Sequence, residues 1–257
     1  MFLTPEVVFE PSTLVLMAGP CAVESYEQMR AVAQMVSQLG LHVLRGGAFK
    51  PRTSPHAFQG LGIDGLKILR TVADEFGLLV VTEALGVEHV SLVAEYADIL
   101  QIGSRNMQHF PLLWAAAKSG KPILLKRGFM STIDEWLAAA EHIRVHGNEQ
   151  IILCERGIRS FDPSTRNVLD AVAIPLVRSR VPYAVIADPS HATGRADLVL
   201  PASLAAIAAG ADGLMVEVHP DPIRALSDGA QSLALADFPS YVERVRHLAQ
   251  ALGRRVV

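Results

Sequence analysis

The chain has 257 residues, of which 50% are hydrophobic and 19% charged, and its formal net charge is −3. This length and apolar content suit one large domain, and the mild acidity gives no general attraction to nucleic acid. No apolar run reaches the roughly 18 residues of a membrane span, and Pro5, Glu6 and Glu10 interrupt the N-terminus. We therefore expect no membrane association, no signal peptide and a cytoplasmic location. The two cysteines, Cys21 and Cys154, form no disulfide framework.

Short apolar segments alternate along the chain with segments of helical periodicity. Nearly continuous apolar strands separated by helices are typical of a parallel sheet covered on both faces. Eight such units in this length predict a (β/α)8 TIM barrel rather than an open doubly wound sheet. We expect one catalytic domain over residues 1–257, with the first ten residues closing the barrel bottom. The predicted strands lie in TLVLMAGP (13–20), HVLRGG (42–47), LLVVTEA (78–84), DILQIGS (98–104), PILLKRG (122–128), IILCERG (151–157), YAVIADPSH (183–191) and GLMVEVH (213–219).

Every predicted strand turns polar at its C-terminal end, which is the end where the active sites of such barrels form. Charged groups gathered in one ring are costly to bury unless they have partners, so the ring predicts a ligand at its centre. The polar ends are Gly19-Pro20-Cys21, Arg45-Gly46-Gly47, Thr82-Glu83, Gly103-Ser104-Arg105, Lys126-Arg127-Gly128, Glu155-Arg156-Gly157, Asp188-Pro189-Ser190-His191 and Glu217-Val218-His219.

This ring is rich in cations although the chain is acidic. The sequence has only five lysines, and Lys50 and Lys126 are both in the ring. Guanidinium groups suit carboxylates and phosphates, whereas an ammonium acts as a point charge. Any one arginine could instead form a salt bridge, but the whole set favours a ligand with two phosphates and a carboxylate. The arginines are Arg45, Arg52, Arg105, Arg156 and, as an open question, Arg127.

A second set of residues at the same face carries metal-binding chemistry. Cys21, His191, Glu217 and Asp228 offer one sulfur, one imidazole and two carboxylates, which suit a divalent transition ion. Strand eight of a barrel closes onto strand one, so these residues are expected to meet. Taken singly, Cys21 could be a buried apolar residue, His191 a base, and Glu217 the partner of an arginine. We expect Cys154 to serve packing.

Several segments resemble, in order and from about residue 12 to the C-terminus, those of one enzyme family. The family is class I 3-deoxy-D-arabino-heptulosonate 7-phosphate (DAHP) synthase, in its short form without a regulatory domain. The matching segments are GPCAVES (19–25), LRGGAFKPRTSPHAFQGLG (44–62), QIGSRNMQ (101–108), LLKRG (124–128), CERGIRSFD (154–162), DPSHATG (188–194), MVEVHPDP (215–222) and LSDGAQSL (226–233).

The resemblance implies condensation of phosphoenolpyruvate with erythrose 4-phosphate to give DAHP and phosphate, the first step of the shikimate pathway. It implies one divalent ion, Mn²⁺, Fe²⁺, Co²⁺ or Zn²⁺, held by the Cys-His-Glu-Asp set. Arg52 and Thr53 would bind the aldose phosphate. Lys50 is the candidate proton donor to the new hydroxyl, and His191 a weaker candidate for activating water. The residues assigned to phosphoenolpyruvate are Arg45, Lys50, Arg105, Lys126 and Arg156, and Ser104 is a further expected substrate-binding residue.

The expected partners are these two small molecules, with no nucleic acid and no membrane. The family resemblance and the aliphatic content predict a homodimer or homotetramer. About a dozen residues precede the first strand, so we expect no attached regulatory domain and no feedback inhibition by aromatic amino acids through one.

Three alternatives remain. The first is 3-deoxy-D-manno-octulosonate 8-phosphate synthase, which uses arabinose 5-phosphate and carries Asn-Arg-Ser where this chain has Pro51-Arg52-Thr53-Ser54. The second is a Schiff-base aldolase with Lys126 as the nucleophile. The third is a barrel that binds phosphosugars without catalysis. The roles of Glu83 and Asp188 are open, and His219 either supports Glu217 or fixes the loop after strand eight.

Overall fold

The computed structural model describes all 257 residues and contains a closed barrel of eight parallel strands. Neighbours in sequence are neighbours in the sheet, and β1 pairs with β8 to close it. The predicted (β/α)8 barrel is confirmed. Its strands are β1 Thr13–Gly19, β2 Val43–Arg45, β3 Leu79–Glu83, β4 Ile99–Ile102, β5 Ile123–Lys126, β6 Ile151–Glu155, β7 Ala184–Ala187 and β8 Gly213–His219.

Helices fill the connections, and some of them begin at a residue whose side chain caps the helix. The Ser25 side chain accepts a hydrogen bond from Gln28 N at the start of α1, and Thr132 forms a capping box with Glu135 at the start of α5. None of the helices has the length and apolar content needed to cross a membrane. The helices are α1 Tyr26–Gln38, α2 Ile63–Phe76, α3 Val87–Tyr96, α4 Phe110–Lys118, α5 Ile133–Arg144, α6 Ala173–Arg178, α7 Pro189–Thr193, α8 Ala196–Ala208 and α9 Phe238–Ala251.

Two short strands extend the sheet beyond the eight that the sequence predicts. β9, Leu233–Ala234, pairs with the C-terminal end of β8, and β10, Arg255–Val256, pairs with the N-terminal end of β1. Each has only two residues, which is too short for an apolar pattern to reveal.

Side chains alternate along each strand between two separate cores. On β1, Val15 and Met17 belong to the cluster inside the barrel, whereas Leu14 and Leu16 belong to the larger cluster between the strands and the helices. This period of two explains the continuous apolar strands, because both faces of the sheet are buried.

The N-terminal segment closes the bottom of the barrel, as the sequence predicts. Phe2 and Val8 form an antiparallel bridge, and Val7 and Phe9 are 0% and 7% exposed within the interior cluster. The C-terminal Val257 joins them there. Apolar side chains therefore fill the barrel interior at its bottom end.

Candidate active site

The alternation that fills the barrel also builds the site above it. A residue two positions beyond an interior apolar residue points into the same interior. At the C-terminal strand ends these positions hold polar residues instead of apolar ones. The pairs are Val43 and Arg45, Val81 and Glu83, Ile99 and Gln101, Leu124 and Lys126, Cys154 and Arg156, Ile186 and Asp188, and Met215 and Glu217.

These polar ends surround a cavity of about 310 Å³, which lies in the size range of small-molecule sites. The cavity wall is almost entirely polar and brings together most of the residues that the sequence singles out. Those residues are Arg45, Lys50, Arg52, Thr53, Ser104, Arg105, Lys126, Arg156, His191 and Asp228. The remaining two, Cys21 and Glu217, are each 1% exposed and contact wall residues.

Arg127, which the sequence left as an open member of the cationic set, does not line the cavity. It follows Lys126 and therefore faces the helices rather than the interior. Its Nη1 donates to Glu155 and to Asp170, both at 2.9 Å, and its guanidinium lies 6.0 Å from the ring of Trp136. Arg127 therefore belongs to a buried structural ion-pair network.

Two of the cavity cations are neutralised by buried carboxylates. Arg45 Nη1 lies 3.2 Å from Glu217 Oε1, and Lys126 Nζ lies 2.5 Å from Asp188 Oδ2. Lys126 is committed to this buried ion pair with Asp188, whereas a Schiff-base nucleophile needs a free amine. This geometry argues against the Schiff-base alternative.

Two other cations, Arg105 and Arg156, have no carboxylate partner. Arg156 is only 2% exposed, and its hydrogen bonds go to the carbonyl oxygens of Gly157 and His191, both at 3.3 Å. Burial lowers the pKa of Arg156 below its usual value. A buried guanidinium without a counter-charge is costly unless an anion binds there, so Arg156 marks an anion site. Arg105 is exposed and lines the same cavity, where its guanidinium can reach that anion.

The four candidate metal ligands converge at the edge of the cavity. Cys21 Sγ, a ring nitrogen of His191 and carboxylate oxygens of Glu217 and Asp228 all lie within 4.8 Å of one another. Donors bound about 2.0–2.3 Å from one ion are at most roughly 4.6 Å apart. Only small side-chain shifts are needed, so this sulfur, nitrogen and two-oxygen set fits a single divalent ion.

Asp188 sets the orientation of His191. His191 Nδ1 lies 2.7 Å from Asp188 Oδ2, and because a carboxylate only accepts hydrogen bonds, Nδ1 carries the proton. Burial lowers the pKa of His191 despite the neighbouring carboxylates, which favours the neutral ring. Nε2, 3.4 Å from Glu217 Oε1, therefore presents its lone pair to the ligand set.

The thiol of Cys21 is protonated in the absence of a cation. Burial, reinforced by the negative charge of Glu217, raises the pKa of Cys21 to about 12. Asp228 has its pKa lowered, because nearby His191 and Arg166 outweigh its burial. A metal ion binding here would displace the thiol proton.

Lys50 stands between the ligand set and the cavity. Its Nζ lies 3.0 Å from Cys21 Sγ and 3.1 Å from the Cys21 carbonyl oxygen. Gly47 makes this approach feasible, because a Cβ there would lie 2.8 Å from Cys21 O and 2.9 Å from Lys50 Cδ. A side chain at position 47 would displace the lysine.

Asp228 is held by residues that the sequence reading did not single out. Its backbone is left-handed, with φ 53°, a conformation that aspartate tolerates better than most residues. Arg166 Nη1 donates to Asp228 Oδ1 at 3.2 Å and to Gln231 Oε1 at 2.9 Å. Gln231 Nε2 in turn donates to Glu217 Oε2 at 2.7 Å. These partners come from distant loops with no periodic pattern, so the sequence carried no signal for them.

His219 fixes the loop after β8. The Asp221 backbone N–H donates to His219 Nδ1 at 3.0 Å, so Nε2 carries the proton and faces Glu24 Oε2 at 3.3 Å. Glu24 also accepts from Leu226 N at 2.9 Å. Of the two roles left open for His219, the structure supports the second.

Fold and site together define a TIM-barrel protein with an anion-binding cavity beside a sulfur-nitrogen-oxygen metal-type site. Comparison with known proteins identifies the family. The sequence profile of the DAHP synthetase I family matches residues 10–253. The chain belongs to this family, which is metal-dependent in general.

Its relatives include one highly similar protein. The phospho-2-dehydro-3-deoxyheptonate aldolase of Thermotoga maritima is 56% identical over 241 residues, covering 94% of this chain and 71% of the relative. Its crystal structure superposes with a TM-score of 0.93 at 55% identity, covering 96% of this chain and 72% of that one. A truncated form of the Thermotoga 3-deoxy-D-arabino-heptulosonate 7-phosphate synthase gives 0.90 at 51% identity, covering 96% and 90%.

More distant relatives carry the name of the alternative activity. The 2-dehydro-3-deoxyphosphooctonate aldolase of Trichlorobacter lovleyi is 35% identical, covering 91% of this chain and 92% of the relative. The difference in identity favours the heptulosonate group.

Proposed function

We propose that this protein condenses phosphoenolpyruvate with erythrose 4-phosphate to give DAHP and inorganic phosphate. One observation carries the proposal. A single cavity holds guanidiniums without counter-charge and opens onto a convergent sulfur-nitrogen-oxygen donor set. Such a cavity suits a reaction that joins two phosphorylated substrates at a divalent ion.

The phosphoenolpyruvate anion is assigned to the deep part of the cavity. Arg105 and Arg156 bind its phosphate, because their donors are free of carboxylates. Arg45 and Lys126 bind its carboxylate, since each is already partly neutralised by Glu217 or Asp188. Holding a trianion beside a second phosphate overcomes a repulsion that opposes the reaction in water.

The aldose phosphate is assigned to the loop after β2. Arg52 and Thr53 line the cavity, and the Arg52 guanidinium donates to Ser227 Oγ, which lies 3.3 Å from Cys21 Sγ. The contact from Arg52 through Ser227 to Cys21 supports an aldose whose phosphate binds this loop and whose aldehyde end faces the metal-type donor set.

The residues that would hold the ion are Cys21, His191, Glu217 and Asp228. When bound, a divalent ion supplies Lewis-acid polarisation of the aldehyde oxygen. The Lys50 ammonium, 3.0 Å from Cys21 Sγ, delivers a proton to that oxygen as it becomes a hydroxyl.

The methylene carbon of phosphoenolpyruvate attacks the aldehyde carbon, and the aldehyde oxygen takes a proton from Lys50. A water molecule adds to the carbon that bears phosphate, and the bond from that carbon to the phosphate oxygen breaks, which leaves a ketone and inorganic phosphate. Of the two protons of the water, one returns to Lys50 and the other leaves on phosphate. His191 has Nδ1 on Asp188 and Nε2 toward the ligand set. We therefore assign it as a ligand rather than as the base for water.

The test measures phosphate release from phosphoenolpyruvate with erythrose 4-phosphate, with arabinose 5-phosphate and without an aldose. We expect turnover with erythrose 4-phosphate and at most a few per cent of it with arabinose 5-phosphate. Preferential turnover with arabinose 5-phosphate would assign the protein to the octulosonate reaction instead. Binding of both substrates without turnover would support the non-catalytic alternative.

We further propose that residues 1–257 act as one catalytic domain and that the chain forms a homodimer or homotetramer. Several large apolar side chains stay exposed on the isolated chain, among them Phe161 at 101% and Ile223 at 97%. Where such side chains form a contiguous patch, a neighbouring subunit commonly covers them. Light scattering after size-exclusion chromatography tests this, and a monomer at micromolar concentration would contradict it.

A further inference from the structure

The phenyl ring of Phe129 contacts three guanidinium groups. The central carbon of the guanidinium lies 5.3 Å from the ring centroid for Arg105, 4.8 Å for Arg156 and 5.2 Å for Arg159. Phe129 follows β5, is partly buried and lines the cavity. All three distances lie within the roughly 6 Å range in which a cation is attracted to the face of an aromatic ring.

This ring contacts two cavity arginines that form no ion pair with a carboxylate. Arg45, Lys126 and Arg166 each pair with an acid, whereas Arg105 and Arg156 pair with none and both lie against Phe129. A carboxylate at this place would compete with an anionic substrate for the same N–H donors. An aromatic face attracts the guanidinium plane and leaves the donors at its edge free.

Hydrogen bonds of the backbone at residues 128 and 129 fix the position of the Phe129 ring. The Phe129 carbonyl oxygen accepts a hydrogen bond from Arg159 N at 2.7 Å, and Gly128 N donates to Met107 Sδ at 3.1 Å. The capping box of α5 begins only three residues later, at Thr132. The loop therefore presents the ring in a defined place between strand ends four and six.

We propose that Phe129 is a positioning residue that holds Arg105 and Arg156 ready for a phosphate group. The ring offsets the burial of Arg156 and the repulsion between the two like charges without neutralising either of them. Arg159 is exposed and adds a third cation at the same ring. This inference rests on the proposed function to the extent that the phosphate is that of phosphoenolpyruvate.

The test compares Phe129→Leu, which keeps an apolar side chain but removes the aromatic face, with Phe129→Tyr, which keeps the face. Met130→Leu is the matched control, because Met130 is the next residue and is 78% exposed. The measurements are the dissociation constants of inorganic phosphate and phosphoenolpyruvate by calorimetry, and KM and kcat for both substrates. Thermal unfolding verifies that each variant folds.

Two cation–π contacts give an expected loss of roughly 5- to 30-fold in affinity for both anions in Phe129→Leu. KM for phosphoenolpyruvate should rise by a similar factor with little change in kcat, since the contact is made in ground and transition states alike. KM for erythrose 4-phosphate should change less than twofold. Phe129→Tyr and Met130→Leu should stay near wild type.

Equal losses in Phe129→Leu and Phe129→Tyr would overturn the inference, because they would show that shape rather than the aromatic face matters. Unchanged anion affinity in Phe129→Leu would also overturn it. Failure of the proposed function can be distinguished from failure of this inference. If the wild type binds phosphate but does not turn over the two substrates, a selective loss of phosphate binding in Phe129→Leu still supports the positioning role.

Discussion

Adjacent residues can belong to entirely different parts of this molecule. Lys126 and Arg127 are both buried cations at the end of β5, yet one lines the cavity and the other lies among the helices. A strand turns successive side chains to opposite faces, so this separation follows from the backbone alone.

Arg127→Met is expected to lower the free energy of unfolding by about 3 kcal/mol, because Glu155 would remain buried without its partner. KM for phosphoenolpyruvate should change by less than about threefold. Lys126→Met should instead abolish most turnover. Denaturant titration of both variants measures the free energy of unfolding, and steady-state kinetics measure KM and turnover. A large rise in KM with unchanged stability for Arg127→Met would place Arg127 in the substrate site.

The two buried cysteines provide a second matched pair. Cys21 belongs to the donor set, whereas Cys154 lies in the apolar cluster inside the barrel. Cys21→Ala should weaken binding of Mn²⁺ by about 100-fold or more, given that even the loss of a group behind a ligand costs 10- to 100-fold. Cys154→Ala should leave metal affinity within about twofold. Calorimetric titration of metal-stripped protein tests both, and equal effects would argue against Cys21 as a ligand.

At the scale of elements, the N-terminal segment has a purely structural role. Phe9 is 7% exposed inside the barrel, whereas Phe2, in the same segment, is 62% exposed. Phe9→Ala should cost about 3 kcal/mol of stability through loss of buried area and a residual cavity, and Phe2→Ala at most about 0.5 kcal/mol. Urea unfolding of the two variants is the measurement. Equal and small effects would mean that the segment does not seal the barrel.

Within the loop after β2, Arg52 is expected to recognise the aldose and not phosphoenolpyruvate. Arg52→Ala should raise KM for erythrose 4-phosphate by roughly tenfold or more, since a charge-assisted hydrogen bond to phosphate is lost. KM for phosphoenolpyruvate should change by less than about threefold. His56→Ala, an exposed change in the same loop, controls for general disturbance of the loop. An equal rise in both KM values would contradict the assignment.

The barrel was predictable because its signal is local and repeated. Each apolar strand followed by an amphipathic helix predicts one unit of the barrel from local sequence alone. The polar residues at the strand ends then predict where the site lies. β9 and β10 escaped prediction because each has two residues and depends on a partner strand from elsewhere. Only the closed sheet brings those partners together.

The candidate site was predictable where a residue stands at a strand end and not where it comes from an irregular loop. Strand parity would have separated Arg127 from Lys126, since interior apolar residues alternate along β5. Arg166, Gln231 and Phe129 are different. Their contacts join loops after different strands, and no spacing in the sequence records such proximity.

At the scale of the whole molecule, stability and chemistry occupy opposite ends of one barrel. Val7, Phe9 and Val257 fill the bottom with apolar side chains, whereas the top holds the anion cavity and the metal-type donors. This separation lets buried charges gather at one end while the cores below offset their cost.

The central claim is that one metal-dependent site joins two phosphorylated substrates. The most direct measurement follows phosphate release by metal-stripped protein with phosphoenolpyruvate and erythrose 4-phosphate, before and after addition of Mn²⁺. Turnover should be absent in the stripped protein and return when about one equivalent of metal is bound. Full activity in protein shown to be free of metal would contradict the claim and leave Cys21, His191, Glu217 and Asp228 with another role.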